Sequence, residues 1–289
     1  MKWIGAEHST LGNFKSYYYR YDGFGGQVTG YKNLDYLKYQ LEQVSLRRTK
    51  DLLDLPEKNV IDEYVQMDDR QQQFYNNIKA GVKDEVDKVK LNTANLLALL
   101  QRLRQATECP SLLTTENISS AKIDRCVDLA EQILSDPSEK LVIFSIFKEP
   151  LKIVKNALEK FNPLLCTGDI SDEEISKNID NFQNDIIHKV ILCTVSKMGT
   201  GVTLNRASYS IFLSTPWTDG VQQQAEDRIH RIGTKSPVFI YRLWTKDTVD
   251  ERVLELLTNK KALSDYVIDD KITAENISVL KKYVEELTQ

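Results

Sequence analysis

Residues 141–168 read LVIFSIFKEPLKIVKNALEKFNPLLCTG. The apolar residues 141–145 predict a short strand, residues 149–160 predict a helix, and residues 163–167 predict a second strand before Gly168. Strands that are apolar along their whole length are typical of a parallel sheet that is covered on both faces. The stretch therefore predicts a strand–helix–strand unit of an α/β fold.

The same alternation of helices and apolar strands continues on both sides of this unit. The apolar positions between residues 68 and 106 keep helical spacing, so two helices are predicted before the sheet. Together the patterns predict one parallel sheet with helices on both faces. The further predicted elements are helices at residues 122–134 and 172–182 and strands at residues 190–194, 209–213 and 238–243.

The composition is that of an ordinary folded protein. The 289 residues are 41% hydrophobic and 28% charged, and no apolar run approaches the roughly 20 residues of a membrane span. The first eight residues show no secretory segment, so no membrane partner is expected. A net charge of −4 argues against a generally basic nucleic-acid binder, but it leaves room for a local track of a few lysines and backbone amides.

The cysteines indicate a reducing compartment. The four of them, Cys109, Cys126, Cys166 and Cys193, lie far apart and show no metal-ligand spacing. Cys166 and Cys193 fall in apolar runs, where a reduced, buried thiol is usual. We therefore expect an intracellular protein, from the cytoplasm of a prokaryote or an infected host cell, or from a nucleus.

A second stretch, QQQAEDRIHRIG at residues 222–233, is the strongest candidate for chemistry. It follows an apolar run and a proline break, so it is predicted to be a helix entered from the end of a strand. Arg228 and Arg231 are three residues apart and would share one helical face. Two guanidiniums that project together can make forked hydrogen bonds to a polyanion such as a triphosphate. Taken alone, the stretch is explained more simply by a solvated amphipathic helix whose charges, Glu226 among them, lie on the surface.

Glycines after the strand at residues 190–194 mark a further candidate site. Residues 194–204 read TVSKMGTGVTL, and glycines at a strand-to-helix junction let backbone amides approach a phosphate or ribose. Considered alone, the loop is explained as well by a simple helix N-terminus. The 289 residues contain no GxxxxGK[ST] phosphate-binding loop and no strand that ends in Asp-Glu-x-His.

Six segments resemble the Swi/Snf-type ATPases, the double-stranded-DNA translocases of helicase superfamily two, and the four between residues 141 and 252 follow that family's order. The pattern QAEDRIHRIG at residues 224–233 is similar to the last motif of that family. A segment reading LRQATECP, in which Glu108-Cys109 replace the family's Asn-His, extends the resemblance upstream. The other matches are LVIFS followed by Ile146-Phe147, the loop at residues 194–204, YRL with TVDER at residues 241–252, and LRRTK with LPEK at residues 46–58.

The resemblance implies that the chain is the RecA-like C-terminal lobe of a two-lobed motor. Arg228 and Arg231 would reach across a cleft, as arginine fingers, to ATP held by an upstream RecA-like lobe that also supplies the Mg²⁺ ligands. No metal ligand is implied in this chain, which alone would hydrolyse no ATP. The other implied site residues are Gly199, Gly201, Gln224 and Asp227 for the nucleotide, and Ser145, Thr194, Ser196 and Lys197 for DNA.

Two functions stand as hypotheses. The first is the C-terminal half of an ATP-dependent translocase or helicase that acts on double-stranded DNA. The alternative is a non-catalytic RecA-like DNA-binding or scaffold module, which the intact arginines and glycines disfavour. The sequence does not distinguish duplex unwinding from pure translocation. It also leaves open the DNA substrate and any nuclease or remodelling partner.

These patterns divide the chain into four predicted segments. Residues 1–50 would be the tail of the first motor lobe and a junction, and residues 51–115 a helical protrusion or linker. Residues 116–258 would be the RecA-like C-terminal lobe, and residues 259–289 a helical tail.

Overall fold

A computed structural model describes residues 10–21, 28–45, 53–88, 93–198, 202–216, 219–251 and 254. The described residues divide into two compact units, one before residue 55 and one from Leu55 onward. The LRRTK segment and the predicted helical tail at residues 259–289 lie outside the described residues.

The first unit is small and mostly exposed. It contains helix α1 (Leu11–Tyr18), strands β1 (Tyr19–Tyr21) and β2 (Val28–Tyr31), and helix α2 (Leu34–Val44). The two strands pair antiparallel. Of the side chains described in this unit only Tyr18 is buried, and its hydroxyl donates a hydrogen bond to Gln40 at 3.1 Å. Its assignment to the tail of a motor lobe stays a prediction.

The second unit is built on a six-stranded sheet. The strands are β3 (Lys58–Val65), β4 (Leu141–Ser145), β5 (Leu164–Cys166), β6 (Val190–Thr194), β7 (Tyr209–Phe212) and β8 (Val238–Thr245). Their order across the sheet is β3-β8-β7-β4-β6-β5, and every neighbouring pair is parallel. The predicted parallel sheet is confirmed, and the carboxyl ends of these strands meet at one edge.

The helices of the second unit follow the predicted alternation. Helix α3 packs against α4, as expected from their continuous helical spacing. The helix predicted to reach residue 160 ends earlier, and a 3-10 turn at Glu159–Phe161 completes it. The helices are α3 (Asp69–Lys88), α4 (Thr93–Glu108), α5 (Ala121–Ile133), α6 (Glu149–Ala157), α7 (Asp172–Asn184) and α8 (Asp219–Glu226).

Alternate side chains of the buried strands point to opposite faces, so the sheet carries two cores. Leu141 and Ile143 of β4 pack with α5 and α6 on one face. Val142 and Phe144 pack with α7 and α8 on the other. All four side chains are fully buried. Helices therefore cover both faces, which is the predicted RecA-like architecture.

Serine side chains fix where α5 and α7 begin. Ser120 accepts a hydrogen bond from the amide of Ile123 at 3.3 Å, and Ser171 accepts one from the amide of Glu174 at 3.2 Å. Such a cap stabilises a helix by about 1 kcal/mol. Three carboxylates occupy the first turn of α7, where the positive end of the helix dipole favours negative charge.

Strand β3 is the main difference between the predicted and the observed organisation. It lies in the segment 51–115, which was predicted as a helical protrusion or linker, yet it pairs along its whole length with β8. Exposed and partly buried side chains alternate along it, as is usual for an edge strand. The sheet therefore begins before residue 116, and the other segment boundaries stay predictions.

The described ranges contain neither a membrane-spanning helix nor a metal-binding cluster. No helix within them has the length and apolarity needed to cross a membrane. Nor do the side chains of those ranges bring together three or more His, Cys, Asp or Glu residues in a group that could hold a metal ion. The four cysteines are buried and form no disulfide.

Candidate functional site

The two candidate arginines lie beyond the end of a helix. Helix α8 ends at Glu226, and turns follow it. The amides of Arg228 and Ile229 donate to carbonyls three residues back, at 3.2 and 3.1 Å, so the regular helical pattern stops. The prediction that Arg228 and Arg231 share one helical face is therefore wrong. We call residues 227–234 the arginine turn.

A threonine and a glycine close the arginine turn. The Thr234 hydroxyl donates to the Ile229 carbonyl at 2.8 Å and accepts from the Arg231 amide at 3.1 Å. Gly233 has a φ of 99°, and a Cβ there would lie 2.9 Å from the Asn205 side chain. The positive φ favours glycine at this position, and a Cβ there would have to displace the end of the Asn205 side chain.

Both arginines nevertheless reach the same loop. Arg228 donates from Nε to the Met198 carbonyl at 2.9 Å. Arg231 donates from one terminal nitrogen to the Thr203 hydroxyl at 2.8 Å and to the Val202 carbonyl at 3.3 Å. The two guanidiniums are thus bound to different residues of one loop and do not project from a shared helix face.

The backbone adds another link between the turn and this loop. The Leu204 amide donates to the Arg228 carbonyl at 2.8 Å. The predicted nucleotide contacts Gly199 and Gly201 belong to the same loop but lie outside the described residues. The loop that follows β6 and the arginine turn are therefore tied together by side-chain and main-chain bonds.

Arg231 retains donors that could bind an anion. Among the described residues, its side-chain hydrogen bonds come from one terminal nitrogen only. An arginine carries five N–H donors, and its remaining N–H groups can grip two oxygens of one phosphate. Its side chain is half-buried, so the guanidinium is held in place and is still accessible.

A buried carboxylate anchors the end of α8 to the sheet. Glu226 is 1% exposed and accepts hydrogen bonds from Lys58 at 2.9 Å, from Arg242 at 2.6 Å and from Gln222 at 2.9 Å. Burial alone would raise the pKa of Glu226, but Arg242 and Lys58 outweigh burial and hold the pKa below its usual value. The arginine turn therefore starts from a point fixed to β3 and β8. The interpretation of Glu226 as a surface charge is wrong.

Replacing Glu226 by glutamine should reduce stability at neutral pH and make stability less sensitive to acid. Because the pKa of the folded carboxylate lies below the usual 4.5, its contribution is complete above pH 4.5 and is lost as the pH falls through the lower folded-state value. We expect the loss in the free energy of unfolding caused by Glu226→Gln to be largest near pH 7 and to shrink below pH 4.5. Denaturant titrations of the wild type and the variant, from pH 7 to below pH 4.5, measure this loss. A loss that is the same at every pH would contradict this account.

Two of the predicted DNA contacts are internal groups. Ser145 is 0% exposed and Thr194 is 3% exposed. The Ser145 hydroxyl donates to the Glu108 carboxylate and accepts from the Phe147 amide at 2.9 Å. Neither side chain presents a surface to DNA, so the prediction of direct DNA contacts is corrected for both: Ser145 links the end of β4 to the end of α4.

The other predicted site residues are accessible. Ser196 is exposed, and Lys197 is partly exposed and forms an ion pair with Asp172 at 3.0 Å. Gln224 is exposed on α8, and Asp227 is partly exposed at the start of the arginine turn. Their predicted roles toward DNA and nucleotide stay predictions.

His230, between the arginines, has an anchoring position. Its side chain is 9% exposed, and its Nε2 lies 2.7 Å from the Pro56 carbonyl, to which it donates as the protonated nitrogen. This bond joins the arginine turn to the segment that enters β3. His230 therefore anchors the arginine turn to the segment that precedes β3.

A cluster of four buried charged side chains was not predicted from the sequence: Arg104, Glu108, Lys122 and Asp250. Lys122 and Asp250 form an ion pair at 2.5 Å, although their side chains are only 1% and 5% exposed. Arg104 donates to the Thr215 carbonyl, at the segment that leads to α8. Burial raises the pKa of Glu108, although Lys122 and Arg104 oppose the shift. The sequence does contain one indication of this cluster. Arg104 and Glu108 are charged residues at positions of α4 that the apolar spacing of the helix assigns to the core.

The comparisons with known proteins agree with this architecture. Residues 121–233 match the model of the helicase conserved C-terminal domain. An uncharacterized ATP-dependent helicase of Mycoplasma genitalium is 28% identical over 251 residues, which are 83% of this chain and 24% of that protein. The ATP-dependent helicase FUN30 of Saccharomyces cerevisiae is 32% identical over 160 residues, which are 54% of this chain and 14% of that protein.

A solved structure extends the likeness to most of the chain. The Sulfolobus solfataricus SWI2/SNF2 ATPase core in complex with dsDNA is 27% identical, with a TM-score of 0.67, over 88% of this chain and 55% of that one. The chain thus spans about half of that core and 24% of the Mycoplasma relative. Residues 121–233 thus form a helicase conserved C-terminal domain, and the chain is similar in sequence and fold to the C-terminal half of the ATPase core of Swi/Snf-type helicases.

Proposed function

We propose that the chain is the C-terminal lobe of an ATP-dependent translocase or helicase acting on double-stranded DNA. In this proposal Arg228 and Arg231 are arginine fingers for ATP, which an upstream RecA-like lobe binds together with Mg²⁺. The observation that carries the proposal is that both guanidiniums are braced against one loop, Arg228 at Met198 and Arg231 at Thr203. Donors that are oriented before the reaction need no reorganisation at the moment when charge develops.

The arrangement suits the chemistry of phosphoryl transfer. Charge on the transferred group is spread over its oxygens, so catalysis depends on positioning and on positive charge. Arg231 can offer a planar pair of donors to two oxygens, and Arg228 brings a second positive charge from the same turn. In the proposal Gln224, Asp227, Gly199 and Gly201 contact the nucleotide from this side of the cleft. Bound ATP and Mg²⁺ would supply the phosphoryl group and its metal.

Accessible polar groups at the carboxyl edge support the DNA part of the proposal. Ser196 and Lys197 lie there, directly after β6. Contacts of this kind go to the phosphate backbone, so binding by this lobe should depend on salt and not on base sequence. The similar Sulfolobus core was solved in complex with dsDNA, which makes duplex DNA the ligand to test.

The chain alone should hydrolyse ATP no faster than a buffer control, because its sequence has no GxxxxGK[ST] loop. Joined to the N-terminal lobe of a Swi/Snf-type ATPase, it should support hydrolysis that duplex DNA stimulates. Release of inorganic phosphate, with and without DNA, measures both. Turnover by the isolated chain would contradict the proposal. Folded lobes that stay inactive together would favour the scaffold alternative.

A further inference from the structure

Two lysine–carboxylate pairs lie side by side at the carboxyl edge of the sheet. Lys148 follows β4 and pairs with Asp169, which follows β5. Lys197 follows β6 and pairs with Asp172, the first residue of α7, at 3.0 Å. Because β6 lies between β4 and β5, both pairs meet above the end of the same strand. We call these four residues the edge pairs.

The backbone fixes the positions of the edge pairs. The stem of Lys148 passes beside Gly168, where even a Cβ would make only an ordinary contact, 3.5 Å from the lysine Cε. The Ser171 cap fixes the start of α7 and so places Asp172. The hydrogen bond from Lys148 lowers the pKa of Asp169, so this carboxylate is charged at neutral pH.

The edge pairs are exposed and can therefore exchange partners. The side chains of Lys148 and Asp169 are 46% and 50% exposed, and those of Lys197 and Asp172 are 34% and 89% exposed. Ion pairs in contact with water contribute little to stability, because each charge is nearly as well solvated without its partner. A phosphate that approaches this edge can thus replace a carboxylate at small cost.

We propose that Lys148 and Lys197 bind neighbouring phosphates of one DNA strand, and that Asp169 and Asp172 occupy these lysines until DNA displaces them. The inference rests on the proposed DNA-translocase function and adds three residues to its DNA surface. Lys148 and Lys197 follow adjacent strands of the sheet, which are about 4.8 Å apart. Their long, flexible side chains can therefore reach different phosphates of one DNA strand.

The edge pairs would also explain how a chain with a negative net charge can bind DNA. The whole sequence has a net charge of −4, and each lysine of the edge pairs is neutralised by a carboxylate from the next loop. The surface becomes basic only when the carboxylates move away. DNA binding by the chain should then be limited by these carboxylates, and removing them should strengthen it.

The test measures binding of the 289-residue chain to a fluorescent duplex by anisotropy at several salt concentrations. Asp169→Asn and Asp172→Asn should each tighten binding about two- to fivefold at low salt, and the gain should shrink as salt screens the charges. Lys148→Ala and Lys197→Ala should each weaken binding and reduce the slope of log K against log salt by about 1. Lys148→Ala should also cancel the gain from Asp169→Asn.

A third lysine–carboxylate pair provides matched controls. Lys160 and Glu131 form an exposed pair at 2.6 Å near the opposite edge of the sheet. Glu131→Gln and Lys160→Ala change the net charge by the same amounts and should leave DNA affinity unchanged. If the chain binds duplex DNA but the edge variants behave like these controls, the inference is wrong and the proposed function stands. If neither the chain nor any variant binds duplex DNA, the proposed function fails and the inference falls with it.

Discussion

Replacing Asp250 by asparagine should lower the free energy of unfolding by about 3 to 5 kcal/mol. The reason is its partner Lys122, whose side chain is 1% exposed and lies 2.5 Å from the carboxylate. Without that carboxylate a buried ammonium loses its ion-pair partner, and the hydrogen bond from the Thr245 amide is weakened as well. For a folded unit of this size the loss corresponds to a fall in melting temperature of about 6 to 20 °C.

The exposed pair Lys160–Glu131 is the control for this prediction. Its side chains are 61% and 45% exposed, so Glu131→Gln should cost at most about 1 kcal/mol. Thermal and denaturant unfolding followed by circular dichroism measures both variants. Combining Lys122→Met with Asp250→Leu should recover part of the lost stability, because both buried charges are then removed. Equal losses for Asp250→Asn and Glu131→Gln would contradict the assignment of a buried ion pair.

The central strands could be predicted from the sequence because burial leaves a local signal. Residues 141–145 and 190–194 are apolar because both of their faces are covered. Strand β3 gives no such signal, since it lies at an edge and mixes polar with apolar side chains. Its place in the sheet depends on β8, which begins 180 residues later, counted from Lys58 to Val238. Pairing over that distance leaves no mark in the local sequence.

The site shows the same division between local and distant causes. The residue pattern QAEDRIHRIG identified Arg228 and Arg231 as candidates, but it has no glycine or proline before Gly233 to mark the end of α8. The helix ends at Glu226, which is held by Lys58 and Arg242 from distant parts of the chain. Ser145 was misplaced at the surface for a similar reason. Its partner Glu108 comes from α4 and buries it.

Alanine in place of Arg228 or Arg231 should lower the DNA-stimulated turnover of the two-lobe protein by about 10³ to 10⁵. Each guanidinium would meet the charge on the transferred phosphoryl group only when the lobes close. Lysine should rescue poorly, because its point charge cannot reproduce the planar donors of arginine. The lost hydrogen bonds to Met198 and Thr203 should cost only about 1 kcal/mol of stability each. The loss of turnover should therefore far exceed the loss of folded protein.

A histidine separates structural from catalytic effects in the same turn. His230→Ala removes the hydrogen bond to the Pro56 carbonyl and should lower the melting temperature. Because His230 anchors the turn from behind and donates to the protein itself, its removal should affect turnover much less than removal of either arginine. A variant of His230 that loses as much turnover as Arg231→Ala would show that the turn acts only through its shape.

The most direct measurement compares ATP turnover by Arg231→Ala and Arg206→Ala in the two-lobe protein, with saturating duplex DNA and with melting temperature as the measure of folding. Arg206 is exposed and lies three residues after Thr203, the hydrogen-bond partner of Arg231. No role in binding ATP is proposed for Arg206. We expect turnover by Arg206→Ala to stay within about twofold of the wild type, whereas turnover by Arg231→Ala should fall by about 10³ or more. Near-normal turnover by a stably folded Arg231→Ala variant would contradict the claim that this lobe supplies arginine fingers.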